Sequence, residues 1–303
     1  MILTVTLNAA LDVTYQVPAL TVGASHRPST VDTRAGGKGV NVARVLHALG
    51  HETMVSGLVG GQTGAAIRAD VIVAGLREAL FEMAGPSRRT VTIVSDGTAT
   101  AINEPGPPVS ISDWADFVGG YHQLADRASV VVLSGSLPGN LPADAYAQLI
   151  RATSTPTILD ASGPPLLAGL AARPDVVKPN AAELVETTGL TDPVAAARVL
   201  LDRGARAVVA SLGEAGLIAV TPEGVWRAAP PEPLRGNPTG AGDACVAALA
   251  AGLALDWPTR LAEAVAVSAA AVPCPLAGDI DLDTYRRLRP AITVEELDAH
   301  ADR

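Results

Sequence analysis
The chain has 303 residues, 48% of them apolar, which is enough for one large α/β core with at most a small accessory piece. A net charge of -9 with no basic run argues against a nucleic-acid surface, and aromatics, at 3%, are too scarce for a base-stacking one. The longest apolar stretch, Ala244 to Leu255, is too short to cross a membrane, and the opening MILTVTLNAALDVTY has no basic leader, so the expected compartment is the cytoplasm.

In chain order, the pattern predicts a buried strand over Ile2–Thr6 and then two short β-like runs, Asp12–Val17 and Ser29–Thr33, with no helix between them. A helix over Gly39–Leu49 and a strand over Thr53–Leu58 follow. Thr90–Ser95 and Thr98–Asn103 read as a hairpin around Asp96-Gly97. Helices over Ser112–Ala125, Ala143–Ala152, Ala181–Thr187 and Pro193–Arg203 then alternate with strands over Ser129–Ser134, Thr157–Asp160, Val176–Lys178, Ala207–Ser211 and Leu217–Thr221. The last third is helical: Ala241–Leu255, Pro258–Ala271 and Leu282–Leu288. The alternation implies a mainly parallel sheet between two helical layers. The early β runs fit either a small β lid beside that sheet or further edge strands of it. Cys245 and Cys274 have no metal or disulfide spacing, and Cys245 reads as a small core residue.

Four motifs carry chemistry. Asn237-Pro238-Thr239-Gly240-Ala241-Gly242-Asp243 runs straight into a helical segment. Its glycines allow a tight turn with exposed N–H groups, and the helix start adds unpaired N–H groups and a positive dipole end. That is a site for a transferring phosphoryl group, with Asp243 placed to take a proton from a hydroxyl and held ionised by the dipole. The plainer reading is a Gly-rich turn with an acidic residue in the first helical turn. Ala35-Gly36-Gly37-Lys38-Gly39-Val40-Asn41 opens another helix, with Lys38 a point charge and Asn41 a polar fork. It is not a nucleotide P-loop, because no Ser or Thr follows Lys38. It is also a poor dinucleotide fingerprint, because Val42 stands at the third glycine position and no clean strand leads in, which disfavours an oxidoreductase.

Lys178-Pro179-Asn180-Ala181-Ala182-Glu183 ends a strand and starts a helix. Asn180 and Glu183 are spaced as a capping box, and the same pair can organise the water shell of a Mg²⁺ ion. Ser211-Leu212-Gly213 is a turn after a strand and suits backbone contact with a nucleotide. Lys38 and Lys178 are the only lysines in the chain, and both fall in these motifs.

In this order and spacing the motifs resemble the PfkB family of carbohydrate kinases, with the ribokinase-like fold, over essentially the whole chain. Thr6-Leu7-Asn8-Ala9-Ala10-Leu11-Asp12, Ser87-Arg88 and Ser134-Gly135-Ser136-Leu137-Pro138 are similar to the branch holding 1-phosphofructokinase and tagatose-6-phosphate kinase. The chain departs from that pattern at Ala9, where a proline is common, and at Gly139, where a second proline is missing.

The resemblance implies a single three-layer α/β/α kinase domain over residues 1–303, with a lid from roughly 10–35 and 86–106. It implies Asp243 as general base and Gly240, Ala241 and Gly242 as the anion hole. Asp12, Gly37, Asn41 and Ser136 would hold the sugar. Lys38 and Arg88, with Arg27 a weaker candidate, would pair with the phosphate the sugar already carries. Lys178, Asn180, Glu183, Ser211 and Gly213 would serve ATP, with Asn180 and Glu183 meeting Mg²⁺ through water. The implied reaction is conversion of fructose 1-phosphate to fructose 1,6-bisphosphate by a homodimer. Tagatose-6-phosphate or fructose-6-phosphate kinase is the alternative, and a catalytically silent sugar-phosphate-binding protein is the alternative of another class.

Overall fold
In a computed structural model of the chain, residues 1–96 and 98–297 are described. β1 (Ile2–Thr6) is followed by β2 (Ala10–Gln16), β3 (Thr30–Gly36), α1 (Lys38–Ala48), β4 (Thr53–Val59), α2 (Gly61–Val73), β5 (Arg77–Glu82), β6 (Arg88–Ser95) and β7 (Thr98–Asn103). The middle of the chain supplies α3 (Ile111–Ala125), β8 (Val130–Ser134), α4 (Ala145–Arg151), β9 (Thr157–Asp160), α5 (Gly163–Leu170), β10 (Val176–Val177), α6 (Ala181–Thr188) and α7 (Pro193–Asp202). β11 (Val208–Ser211), β12 (Leu217–Val220), β13 (Val225–Ala228), α8 (Ala241–Ala251), α9 (Trp257–Ala271), α10 (Leu282–Leu288) and β14 (Val294–Leu297) complete it.

Ten strands form one sheet in the order β14-β13-β12-β11-β10-β9-β8-β1-β4-β5, parallel from β11 to β5 and antiparallel from β11 to β14. Period-two alternation divides its core. Along β8, Val130 and Val132 pack with Val42, Leu46 and the α8–α9 helices, while Val131 and Leu133 pack with Phe117, Tyr146 and Leu149 on the other face. A strand buried on both faces needs a continuous apolar run, and Val130–Leu133 is one. Tyr121 and Tyr146 are fully buried, and each hydroxyl finds a backbone carbonyl, Leu149 O and Gly135 O. Cys245 is buried, as expected of a core residue.

The early β runs are not edge strands of this sheet. They form a separate four-stranded sheet in the order β3-β2-β6-β7, in which β2 and β6 are parallel and the outer pairs antiparallel. Of the expected Asp96-Gly97 turn, Asp96 has a left-handed φ of 48°, and Gly97 lies outside the described residues. Contrary to expectation, a strand does lead into the Gly36-Gly37 motif, since β3 runs to Gly36 and α1 starts at Lys38. It belongs to the small sheet and pairs antiparallel with β2, so it is not the parallel strand of a dinucleotide unit.

Several elements had no clear sequence signal. α5 opens Gly163-Pro164-Pro165, which reads as a loop but suits a first helical turn. β5, Arg77-Glu-Ala-Leu-Phe-Glu82, is rich in helix formers and is a strand because it pairs with β4 along its whole length. α2 carries two glycines, and β13 and β14 are short strands bearing charges on the antiparallel side.

Candidate active site
The strands β1, β8, β9, β10 and β11 are parallel neighbours, so their C-terminal ends open on one edge, where ligands of open α/β sheets bind. Gly240, the N-cap of α8, has φ 88°, and a Cβ there would come within 2.8 Å of Ala277 Cα, so only glycine makes this turn. The turn feeds the N–H groups of α8's first residues toward a cleft of about 800 Å³. Asn180, Ser211, Gly213, Gly236, Ala241 and Gly242 are among its lining residues. The Gly213 turn is a short 3-10 segment joining the antiparallel pair β11–β12.

Asp243 sits in the first turn of α8 and is buried, with Asn41 Nδ2 of α1 donating to its Oδ2 at 2.8 Å. Burial and the nearby Asp160 carboxylate push its pKa up to about 7, against the pull of Asn41, Lys38 and Lys178. Burial thus opposes the ionisation that the helix dipole was expected to favour. A base with that acidity is well matched to proton transfer near neutral pH. Asn41, expected on a sugar hydroxyl, is instead held on Asp243 here.

Lys178 follows β10 and is buried under the turn, so that a Cβ on Gly242 would lie 3.5 Å from its Nζ. Burial alone would weaken its charge, but Asp160 and other nearby groups outweigh that and raise its pKa. Lys38 Nζ donates to Asp160 Oδ1 at 3.1 Å. Asn180 and Glu183 form the full capping box: Glu183 N donates to Asn180 Oδ1 at 2.9 Å and Asn180 N to Glu183 Oε2 at 2.8 Å. Asn180 lines the cleft, and the box leaves Glu183 one carboxylate oxygen for a water-mediated contact. No group of three His, Cys, Asp or Glu that could cage a metal occurs among the described residues. That donor set suits Mg²⁺ carried in on phosphates, which keeps most of its waters.

The small sheet brings Asp12, Arg34 and Thr90 side by side across β2, β3 and β6. A Cβ on Gly36 would overlap the Asp12 carboxylate, so glycine there lets the acid lie against the chain that enters α1 from its N-cap, Gly37. Burial raises Asp12 to about 6, partly offset by Thr90, Arg88, Arg34 and Arg44. Arg88 Nε donates to Asn8 O at 3.1 Å, and its NH1 donates to Thr90 Oγ1 at 3.2 Å and Glu104 O at 3.4 Å. Asn8 Nδ2 donates in turn to Ser136 Oγ at 3.2 Å, which ties Arg88 to the loop after β8. Arg27 is exposed in the β2–β3 connection.

Sequence reasoning missed three participants. Asp160 ends β9 and is 1% exposed. Its signal was a lone acid closing an otherwise apolar strand beside the one that leads to Lys178. Asp279 makes a two-pronged pair with Arg34, at 2.9 and 2.5 Å, and Asp70 pairs with Arg44. Both partners lie far away in sequence, and no local pattern marks them.

The pfkB family carbohydrate kinase model matches residues 5–284. Among solved structures, a Staphylococcus aureus chain assigned as a phosphofructokinase is 29% identical, with 98% of this chain and 99% of that one covered and a TM-score of 0.84. Phosphofructokinase-2 from Escherichia coli, in complex with fructose-6-phosphate, is 27% identical over 96% and 98%, with a TM-score of 0.88. A Thermotoga maritima chain assigned as a possible 1-phosphofructokinase is 25% identical over 98% and 100%, with a TM-score of 0.82. With the two-sheet, three-layer architecture and the buried acid behind a glycine turn, these matches agree: the chain belongs to the pfkB family of carbohydrate kinases, phosphotransferases with an alcohol group as acceptor.

Proposed function
We propose that the protein transfers the γ-phosphoryl group of ATP to a sugar that already bears a phosphate, with fructose 1-phosphate as the favoured acceptor and fructose 1,6-bisphosphate as product. One observation carries the reading. Asp243 is buried at the first turn of α8, next in the chain to Gly242, which lines the cleft, and is held by a side chain from the Gly36-Gly37-Lys38 helix. The 6-hydroxyl oxygen bonds to the γ-phosphorus, the bond from that phosphorus to the β,γ-bridging oxygen breaks, the hydroxyl proton passes to Asp243, and ADP leaves. The N–H groups of the Gly240–Gly242 turn face the charge on the transferring group.

Mg²⁺, when bound with ATP, neutralises phosphate charge. Asn180 and Glu183 would meet its waters, and Ser211 and Gly213 would line the nucleotide. Lys38 and Arg88 face the sugar's own phosphate, and Asp12 and Ser136 its hydroxyls. Residues 1–303 act as one kinase domain, with the small sheet (roughly 10–35 and 86–106) as a lid on the sugar side.

A second acceptor, fructose 6-phosphate, is favoured by the Escherichia coli neighbour, whose structure holds that sugar; tagatose 6-phosphate stands with it. ADP release measured over fructose 1-phosphate, fructose 6-phosphate, tagatose 6-phosphate and unphosphorylated hexoses separates them. Equal turnover of free and phosphorylated sugars, or none on any, refutes the proposal.

The small sheet also supports a homodimer. Val13, Val91 and Ile102 are lateral neighbours across three strands, as are Tyr15, Val31 and Ile93, on the face opposite Asp12. Val31 is 53% and Ile102 56% exposed. A second copy laid on this face covers them. No helix among the described residues is long and apolar enough to cross a membrane.

A further inference from the structure
Two lysines from opposite halves of the cleft converge on one buried oxygen. Lys38 Nζ of α1 lies 3.1 Å from Asp160 Oδ1, and Lys178 Nζ lies 3.5 Å from the same atom. The strand order explains the meeting. β9, which ends in Asp160, lies between β10, which leads to Lys178, and β8, whose following Gly135 lies against Lys38. Reading along the sheet edge from β11 to β1 passes from the residues of the large cleft to those of the sugar side, and Asp160 stands where the two join.

Stability does not explain this carboxylate. Its side chain is 1% exposed, its Oδ2 is buried without a hydrogen-bond partner, and neither lysine reaches that second oxygen. A buried charge with half its acceptors unfilled costs the fold more than an apolar side chain of that volume would. Its surroundings are nevertheless fixed. Gly135 N donates to Asp160 O at 3.0 Å, and Tyr146, fully buried, holds Gly135 O from beneath. A rigid, costly acid is explained by the groups it holds.

We propose that Asp160 is a positioning residue for phosphoryl transfer: one carboxylate oxygen fixes Lys38 of the acceptor side and Lys178 of the donor side relative to each other where the two sides join. The inference rests on the kinase reading above. Each lysine has a second partner to gain when phosphates arrive, and Asp160 limits how far either can follow it. The carboxylate also holds the local charge near balance before substrates bind, so that the lysines do not grip phosphates in unproductive poses.

Asp160→Asn tests this, because it keeps the shape and removes the charge. Expected are a kcat lower by about tenfold or more and a KM for ATP and for the sugar phosphate that does not rise, both measured well below the variant's own melting temperature. A loss of kcat without weaker binding marks misplacement. The acid limb of kcat/KM should also move to lower pH. Asp243 is faced by Asp160, Lys38 and Lys178 and hydrogen-bonded by Asn41, and the variant removes the one negative neighbour. A kcat within about twofold of the parent overturns the proposal, as does a kcat restored by raising Mg²⁺, which would make Asp160 a metal ligand.

Should that variant not fold, Lys38→Met serves, since Lys38 is 39% exposed. Without Lys38, Asp160 draws Lys178 more strongly away from the donor phosphates. ATP affinity measured by calorimetry should then fall about threefold or more, although the change lies on the sugar side. An unchanged ATP affinity overturns the link. Calorimetry needs no turnover, so its failure is distinct from failure of the unmodified protein to release ADP, which refutes the kinase reading instead.

Discussion

The two halves of the cleft are made of different materials. The proposed nucleotide side is lined largely by backbone, glycine, proline and small side chains, with the Gly240 turn and the Asn180 cap fixing its shape. The proposed sugar side is a web of long charged groups: Arg88 on three acceptors, Arg34 on Asp279, Arg44 on Asp70, and Asp12 among them. Backbone N–H groups suit a phosphate common to many reactions, and one substitution hardly alters them. A side-chain web is retuned by single changes, so on the proposed reading acceptor choice resides there.

The sharpest way to break the comparison is at the join. Asp243→Asn should lower kcat by about 10²–10⁴-fold while both KM values stay within a few-fold, because the base acts in the transition state and not in binding. Steady-state kinetics decide it. Unchanged turnover would move the base elsewhere and leave the glycine turn as a structural feature only.

The pH profile sharpens the same point. Asp243 titrates at about 7, raised by burial, so its carboxylate is present above that pH and lost below it. We expect kcat/KM to fall about tenfold per unit below pH 7. Stability runs the opposite way. The folded chain holds this proton more tightly than the unfolded one, so the contribution is fully present below the ordinary value of 3.8 and is lost as pH rises through about 7. Asp243→Asn should therefore melt higher than the parent at pH 8 and show little of that advantage at pH 4. A melting difference independent of pH would show that Asp243 is not desolvated.

How much of this was legible follows the same division. The turn at Gly240, the cap at Asn180 and the helix start at Lys38 are local events, and local chemistry writes them into contiguous residues. The main-sheet strands β1, β4, β8, β9, β10, β11 and β12 announced themselves as apolar runs because both faces are buried. β5 and α5 did not, since pairing with β4 and packing on Leu159 decided them. Asp279 and Asp70 were invisible for a related reason: each acts through a partner more than twenty residues away, and no spacing rule reaches that far; Asp160 showed only as a lone acid closing β9.

On the sugar side, Arg88→Ala should raise KM for a phosphorylated sugar by about tenfold and leave KM for ATP within about twofold. Arg88 is held by Asn8, Thr90 and Glu104 in place, so its loss removes a fixed charge and not a mobile one. An equal rise for both substrates would place Arg88 outside the acceptor half. Smaller again is Ile102→Asp on the outer face of the small sheet. Sedimentation should show a monomer, with KM for the sugar raised a few-fold as the sheet loses its support. A dimer that survives the change pairs through another surface.

The smallest effect discriminates most finely. Asn180 and Glu183 form a complete capping box, and a box accounts for both residues without any metal. Asn180→Ala cannot separate the roles, since losing the cap costs about 1 kcal/mol by itself. Glu183→Gln can. Glutamine still accepts from Asn180 N through its side-chain oxygen, so the helix start and the melting temperature should hold. Only the negative charge goes. If the free oxygen of Glu183 meets the waters of a phosphate-bound Mg²⁺, the Mg²⁺ concentration giving half-maximal rate rises about threefold to tenfold, with kcat at saturating Mg²⁺ nearly kept. If the pair is a cap and nothing more, the Mg²⁺ dependence of the variant overlays that of the parent, and the nucleotide half of the cleft is then shaped by backbone alone.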